Sequence, residues 1–214
     1  MEISNENCSV YSVYIGACLY YMGKYTEAEE FALEGPASRL RTRLLFHVAN
    51  KQSDETKLME YHQQLTDSIE DQLSLAAMHF LRTHYNEATD IYKKLLLENR
   101  DFVALNVYIA LCYSKLDYYD VSLEILSVYL QAFPDSSFAV NLKACNQFKL
   151  FNGRSAENEL KVLQEYGKSL TEDSLIKHNS CVFRGGENAM QVSKNYLGRM
   201  IIMMVRLEEE KSPF

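Results

Sequence analysis

The chain has 214 residues, a formal charge of −7 at pH 7 and 47% hydrophobic residues, with no tryptophan. Three prolines and eight glycines are too few for a sandwich or barrel built from many turns, so the composition predicts an all-α protein. The acidic balance disfavours nucleic-acid binding, because that binding relies on lysine and arginine to displace phosphate counterions.

The cysteines and the ends of the chain give no indication of secretion or of a membrane span. Five cysteines form no CxxC pair and no cluster with zinc spacing, so we expect reduced thiols packed as small apolar side chains. The first ten residues, MEISNENCSV, lack the basic and apolar regions of a signal peptide. The apolar run MIIMMV at 200–205 is far shorter than the roughly 20 residues that cross a bilayer. We therefore expect an intracellular protein without membrane insertion.

The first predicted repeat unit covers 10–37 and contains IGACLYYMGKYTEAEEF. Gly16 and Ala28 stand twelve positions apart in it, and such small residues let the first helix of a unit, helix A, approach the second, helix B. Tyr25 precedes Ala28 by three positions and is expected to pack as a wedge near the turn.

The second predicted unit, 38–68, is shorter than the others. Its sequence predicts two helices that are separated at NKQSDE. Arg39, Arg41 and Arg43 open this unit; a solvated helix face is the favoured interpretation, and a patch for an acidic partner is the alternative.

Three regular units follow at 69–102, 103–136 and 137–170. Each has a small residue in helix A and another twelve positions later, and equivalent residues in neighbouring units are 34 apart. The first set is Ala76, Ala110 and Ala144, and the second set is Ala88, Ser122 and Ala156. Tyr85 and Tyr119 stand at the wedge position, which Gly153 takes in the last of these units. Thr83 and Asp117 replace the usual turn glycine, and Pro134 ends a helix B.

This period and pattern predict an α-solenoid of tetratricopeptide (TPR) helix-turn-helix repeats. A partial unit at 171–192 and a divergent tail at 193–214 complete the prediction. In the partial unit, RGGE is expected to form a turn with Gly185 or Gly186 at positive φ. The ends of such an array expose an apolar face unless a polar cap covers them, so we expect this chain to be part of a longer array.

The sequence contains no pattern typical of an enzyme, a metal site or a cofactor site. The five histidines include no HExxH, and the five-residue spacing of His79 and His84 is a poor metal geometry on one helix. RGGE lacks the rest of a phosphate-binding loop. We therefore predict a non-enzymatic binding protein with no cofactor.

A binding groove is predicted on the helix A side chains at fixed positions of each unit. The candidate residues are Tyr20, Tyr21, Phe80, Lys115, Asn141 and Lys149. This mainly apolar set suits a partner helix or a neighbouring repeat and disfavours the lysine and asparagine clamp by which TPR co-chaperones hold acidic C-terminal peptides. Core packing between repeats is the alternative role of the aromatic members.

Several segments have a more specific resemblance, above all NVYIALCYSKLDYYDVS at 106–122 and HNSCVFRGGE at 178–187. Over roughly 10–192 the chain resembles the intraflagellar transport protein 56 family, also called tetratricopeptide-repeat protein 26. The resemblance implies a non-enzymatic subunit of the intraflagellar transport B particle, docked notably through intraflagellar transport protein 46. It also implies transport of motility-related ciliary cargo, with the protein in the cilium or flagellum, at the basal body and in a cytoplasmic pool.

The resemblance also concerns the extent of the chain. Members of that family are longer on both sides, so the chain is expected to be a truncated or partial member, and its sequence from Ser193 onward is expected to depart from the family. The alternative function is a general TPR adaptor or co-chaperone outside the cilium. An RNA-binding helical-repeat protein is disfavoured because the chain has no basic stripe.

Overall fold

The structure, a computed structural model, describes residues 5–166 and 174–185. Those residues form α-helices joined by short turns, without a strand, which confirms the all-α prediction. The helices are α1 Asn5–Tyr21, α2 Tyr25–Glu34, α3 Arg39–Gln52, α4 Glu55–Gln64, α5 Ile69–Leu81, α6 Tyr85–Glu98, α7 Leu105–Lys115, α8 Tyr119–Ala132, α9 Ser137–Leu150, α10 Gly153–Glu165 and α11 Ser174–Phe183.

The chain divides into two compact units, with the boundary after Met78, inside α5. In the first unit, α1 packs on α2, α2 on α3, and α3 on α4. In the second, successive helices from α6 to α11 pack on one another. Among the described helices, none has the length and apolar character needed to cross a membrane.

The turns that follow α1, α5 and α7 use left-handed backbone at the same repeated position. Gly23 has φ 79°, and Thr83 and Asp117 have φ 65° and 64°. The prediction that Thr83 and Asp117 occupy the place of a turn glycine is therefore confirmed. In the shorter second unit, Ser53 takes a similar φ of 59°. Residues with a Cβ are strained in left-handed backbone, so the turns at Ser53, Thr83 and Asp117 carry a local conformational strain.

The small residues bring paired helices into close contact, as predicted. The alanines at both repeated positions have no exposed surface: Ala28, Ala76, Ala88, Ala110, Ala144 and Ala156. A Cβ atom built on Gly16 would lie 2.9 Å from the carbonyl oxygen of Ala28. The backbone of α2 therefore occupies the space that a side chain at position 16 would need.

Ser122 is the polar residue among the small residues at the two repeated positions, and hydrogen bonds offset the cost of its burial. Its hydroxyl donates to the carbonyl oxygen of Ala110 at 2.6 Å, which joins α8 to α7. The side-chain amide of Asn146 donates to the same hydroxyl at 2.8 Å. In turn, the carbonyl oxygen of Asn146 accepts a hydrogen bond from Ser114 at 2.7 Å. Three helices are thus joined by one buried polar network.

Helix ends follow ordinary capping chemistry. Asp54 accepts a hydrogen bond from the backbone N–H of Lys57 at 3.0 Å, which begins α4 inside the predicted NKQSDE break. Pro134 follows the end of α8, and Ser136 caps α9.

Gly185 has φ 82°, as predicted for RGGE. Gly186, the end of the partial unit and the 193–214 tail lie outside the described residues.

In the first compact unit, a buried ion pair fixes the start of α5 against α3. Asp71 is only 2% exposed. It accepts a hydrogen bond from the Arg43 guanidinium at 2.9 Å and two more from the backbone and hydroxyl of Thr66. Arg43 therefore has a structural partner within the chain, so the interpretation of the arginine run as a fully solvated face is wrong for this residue.

We predict that Thr83→Gly stabilises the protein by up to about 1 kcal/mol, because glycine removes the Cβ strain of left-handed backbone. Chemical denaturation followed by circular dichroism measures the change. Thr26→Gly is the matched control: Thr26 lies in α2, where glycine is expected to cost about 0.4 kcal/mol. A Thr83→Gly variant less stable than wild type would contradict the assignment of strain to this turn.

Candidate protein-binding surface

Tyr20, the first candidate groove residue, is 6% exposed and packs within the core of the first compact unit. Its ring contacts those of Tyr21 and Tyr25, with centroid distances of 5.4 Å and 5.6 Å. Tyr21 is half-buried against the same cluster. The burial of Tyr20 favours the alternative of core packing, and Tyr21 is the member of this pair with surface left for a partner.

Phe80 is buried in the second compact unit, as Tyr20 is in the first. It is 8% exposed, and its ring lies 5.2 Å from that of Tyr85 at an edge-on angle. Tyr85 is thus a wedge against the last turn of helix A, as Tyr25 is against Tyr20. For Phe80, too, the burial favours core packing.

The absence of a wedge ring at Gly153 has a direct physical reason. A Cβ atom on Gly153 would lie 1.9 Å from the carbonyl oxygen of Phe183, so the backbone of α11 occupies that space. The Phe183 ring packs on Phe148 with a centroid distance of 5.1 Å. Phe183 thus supplies, from the following helix, the aromatic contact that a wedge tyrosine supplies elsewhere.

Asn141 is 5% exposed, and its side chain is bound within the chain. Its carbonyl oxygen accepts a hydrogen bond from the side-chain amide of Asn179 at 2.9 Å. The same amide group of Asn179 lies 3.3 Å from the sulfur of Cys145. Asn141 therefore binds α11, and a partner protein reaches this position only by displacing that helix.

Lys115 and Lys149 are exposed in the last turns of α7 and α9. The hydrogen bond from Ser114 to Asn146 joins these two helix ends. Burial raises the pKa of Cys145 to about 11, and the positive charges of Lys115 and Lys149 partly oppose that rise. The two lysines form a basic pair on the surface, and each also interacts favourably with the carbonyl end of its own helix.

The described part of the chain, 5–166 and 174–185, contains no cluster of three or more histidine, cysteine or acidic residues suited to a metal ion. The His79 and His84 rings lie 6.0 Å apart and tilted, as neighbours across a turn. The accessible members of the candidate set are thus the half-buried Tyr21 and the exposed Lys115 and Lys149.

The sequence of the chain matches the family described as Intraflagellar transport protein 56 over residues 1–207. The chain belongs to this family. The intraflagellar transport protein 56 homolog of Caenorhabditis elegans is 31% identical over 198 residues. The alignment covers 84% of this chain and 34% of the homolog, so the chain spans about a third of that relative's length. The family match runs past residue 192, where the resemblance was expected to end.

Solved structures agree with the repeat fold. PilW, a type IV pilus biogenesis factor, superposes with a TM-score of 0.60 at 15% identity, covering 96% of each chain. A tetratricopeptide repeat protein from Parabacteroides merdae superposes with a TM-score of 0.54 at 18% identity, covering 92% of this chain and 78% of that one. At such low identity these likenesses concern the fold alone, and they confirm the all-α TPR solenoid.

His47, beside the Tyr20 ring at 6.3 Å, makes the first compact unit sensitive to acid. Burial, reinforced by the charges of Lys51 and Arg43, lowers the pKa of His47 from 6.5 to about 4. Between these values the unfolded chain binds a proton that the folded chain does not. Folding stability therefore falls as the pH drops from about 6.5 to about 4, by roughly 3 kcal/mol in total.

We predict that His47→Gln removes this contribution to the pH dependence. Urea unfolding at a series of pH values between 4 and 7.5 measures the slope. Val48→Ala, a change at a buried neighbour without a titrating group, is the control and should lower stability by a similar amount at each pH. An unchanged slope in His47→Gln would show that His47 is not the group responsible.

Proposed function

We propose that the chain is a non-enzymatic scaffold subunit of the intraflagellar transport B particle. The observation that carries the proposal is membership of the intraflagellar transport protein 56 family over residues 1–207. The fold supports it, because stacked helical hairpins expose extended side-chain surfaces for binding other proteins. The function is thus assembly of ciliary transport complexes through buried contact area, without turnover of a substrate.

The same family membership supports our proposal for the partners and the location. Intraflagellar transport protein 46 is the proposed docking partner within the particle, and motility-related proteins are the proposed cargo. The proposed sites of action are the cilium or flagellum and the basal body, with a cytoplasmic pool. A general TPR adaptor outside the cilium is the second candidate, since the exposed pair Lys115 and Lys149 suits an acidic peptide.

The repeat boundaries predicted from the sequence are part of this proposal. The order of the helix pairs from α1–α2 to α9–α10 supports the proposed units, although α1 begins at Asn5, ahead of residue 10. On these units we assign the partner surface to the accessible members of the candidate set, namely Tyr21, Lys115 and Lys149. The buried members, Tyr20, Phe80 and Asn141, hold the helices that carry that surface.

The test is affinity purification of the tagged chain from ciliated cells, with recovered proteins measured by quantitative mass spectrometry. We expect B-particle subunits with the wild-type chain. The double variant Lys115→Glu/Lys149→Glu should recover about tenfold less, equivalent to roughly 1.4 kcal/mol of binding free energy. The reason is that charge reversal replaces attraction for an acidic partner surface with repulsion.

Lys94→Glu/Lys161→Glu is the matched control, because it makes the same charge change at two other exposed lysines. Equal losses in both double variants would assign the effect to net charge and remove Lys115 and Lys149 from the partner surface. Recovery of chaperones in place of B-particle subunits would support the adaptor. If a longer family member recovers the particle and this chain does not, the scaffold proposal fails for this chain.

A further inference from the structure

The turn between α9 and α10 contains an asparagine followed by a glycine, Asn152-Gly153. It is the only Asn-Gly pair in the sequence. Because glycine has no Cβ, its backbone nitrogen has unhindered access to the side-chain carbonyl carbon of the preceding asparagine. When that nitrogen bonds to the carbon, the side-chain amide leaves as ammonia and a succinimide ring forms. Water then opens the ring to aspartate or to isoaspartate.

The structure shows why a glycine follows Asn152. Gly153 is the first residue of α10, and a Cβ atom there would lie 1.9 Å from the carbonyl oxygen of Phe183 in α11. Any other residue at this position would displace α11. The labile pair is therefore a consequence of how closely α11 packs against the start of α10.

In the folded chain, hydrogen bonds hold Asn152 in the conformation of a helix cap. Its side-chain carbonyl oxygen accepts a hydrogen bond from the backbone N–H of Ser155 at 3.0 Å. Its backbone carbonyl oxygen accepts one from the N–H of Ala156 at 3.3 Å. Ring closure requires the Gly153 nitrogen to turn toward the Asn152 side chain, which breaks the cap and shifts Gly153 relative to Phe183. The reaction therefore needs the start of α10 to open.

The exposure of Asn152 is a property of the turn and does not come from the end of the chain. The residues that precede it by 34 and 68 positions are Tyr118 and His84, and both are exposed in the corresponding turns. At those turns the array continues, since α7 packs on α6 and α9 packs on α8. Solvent water therefore reaches this turn directly, as the opening of the succinimide ring requires.

The two products differ in their effect on the packing of α11. Aspartate keeps the capping oxygen and places a negative charge at the start of α10, which the helix dipole favours. Isoaspartate adds a methylene group to the main chain directly before Gly153. Because the carbonyl group of Phe183 already fills the space beside Gly153, the lengthened main chain is incompatible with a docked α11.

We propose that Asn152 is a deamidation site that the docked α11 keeps unreactive. Detachment of α11 lets the start of α10 open, the reaction follows, and isoaspartate then prevents α11 from returning. One contact that holds α11 is the Phe183 ring on that of Phe148, at a centroid distance of 5.1 Å. Another is the hydrogen bond from Asn179 to Asn141 at 2.9 Å. The proposal concerns a chemical change of the chain itself and does not rest on the proposed scaffold function.

The test follows deamidation of the full chain during incubation at pH 7.4 and 37 °C. Trypsin releases residues 150–154, and liquid chromatography with mass spectrometry separates the asparagine, aspartate and isoaspartate forms of this peptide. The folded chain should react at least about tenfold more slowly than the same chain in denaturing urea, because the unfolded chain needs no local opening.

Phe183→Ala should speed the reaction of the folded chain at least about threefold, because it weakens the docking of α11. Phe80→Ala is the matched control and should leave the rate unchanged, since Phe80 lies in α5. Both rings are 8% exposed, and each contacts another ring, at 5.1 Å for Phe183 and 5.2 Å for Phe80.

Asn179→Ala weakens the same docking through a different contact and should also speed the reaction of Asn152. Circular dichroism verifies that each variant keeps its helical content. If Phe183→Ala does not fold, the comparison of Asn179→Ala with the wild-type chain decides.

The effect of isoaspartate on α11 is measured on chain that has been aged in urea and then refolded. Brief trypsin digestion under native conditions cuts after Lys177, in α11, when that helix opens. Cut molecules should contain at least about threefold more isoaspartate at position 152 than uncut molecules, because α11 is detached in them. The aspartate product should be evenly distributed between the two.

Three outcomes would overturn the proposal. Absence of deamidation in urea would show that Asn152 is not the site. Equal rates in the folded and the urea-treated chain, or in Phe183→Ala and Phe80→Ala, would remove α11 as the protecting element. Equal isoaspartate in cut and uncut molecules would show that this product does not keep α11 detached. None of these measurements uses a partner protein, so the scaffold function is tested separately.

Discussion

The close approach of paired helices at two small residues is the contact on which the rest of this structure depends. Gly16 shows how little space there is, since a Cβ atom would lie 2.9 Å from the backbone of the facing helix. This contact therefore fixes how closely α2 lies against α1. Ser122 is accommodated only because its hydroxyl donates to the carbonyl of Ala110 in that same contact.

Much of the fold could be predicted from the sequence because these contacts recur at a fixed spacing. The small residues at Ala76 and Ala88, and their counterparts 34 positions further on, locate the two helices of each unit and the turn between them. The left-handed backbone at Thr83 and Asp117 followed from position alone. Each of these features is local, involving residues of a single hairpin, so the order of residue types in the chain is sufficient to indicate it.

The candidate surface was less predictable because exposure depends on neighbours that are distant in sequence. Helix A position alone does not distinguish Phe80, which Tyr85 covers, from Lys115, which remains in solvent. Asn141 is covered by Asn179 of α11. The need for a glycine at position 153 comes from the backbone of Phe183, thirty residues away, which occupies the space of a Cβ atom.

The packing of each helix on its neighbour in sequence also has a consequence for the order of folding. Helix α1 packs on α2, α7 on α8 and α9 on α10, so the two helices of each of these pairs are separated only by a short turn. Contacts between residues that are close in sequence form quickly, and folding begins during synthesis. We therefore expect each pair to assemble soon after its second helix has been made.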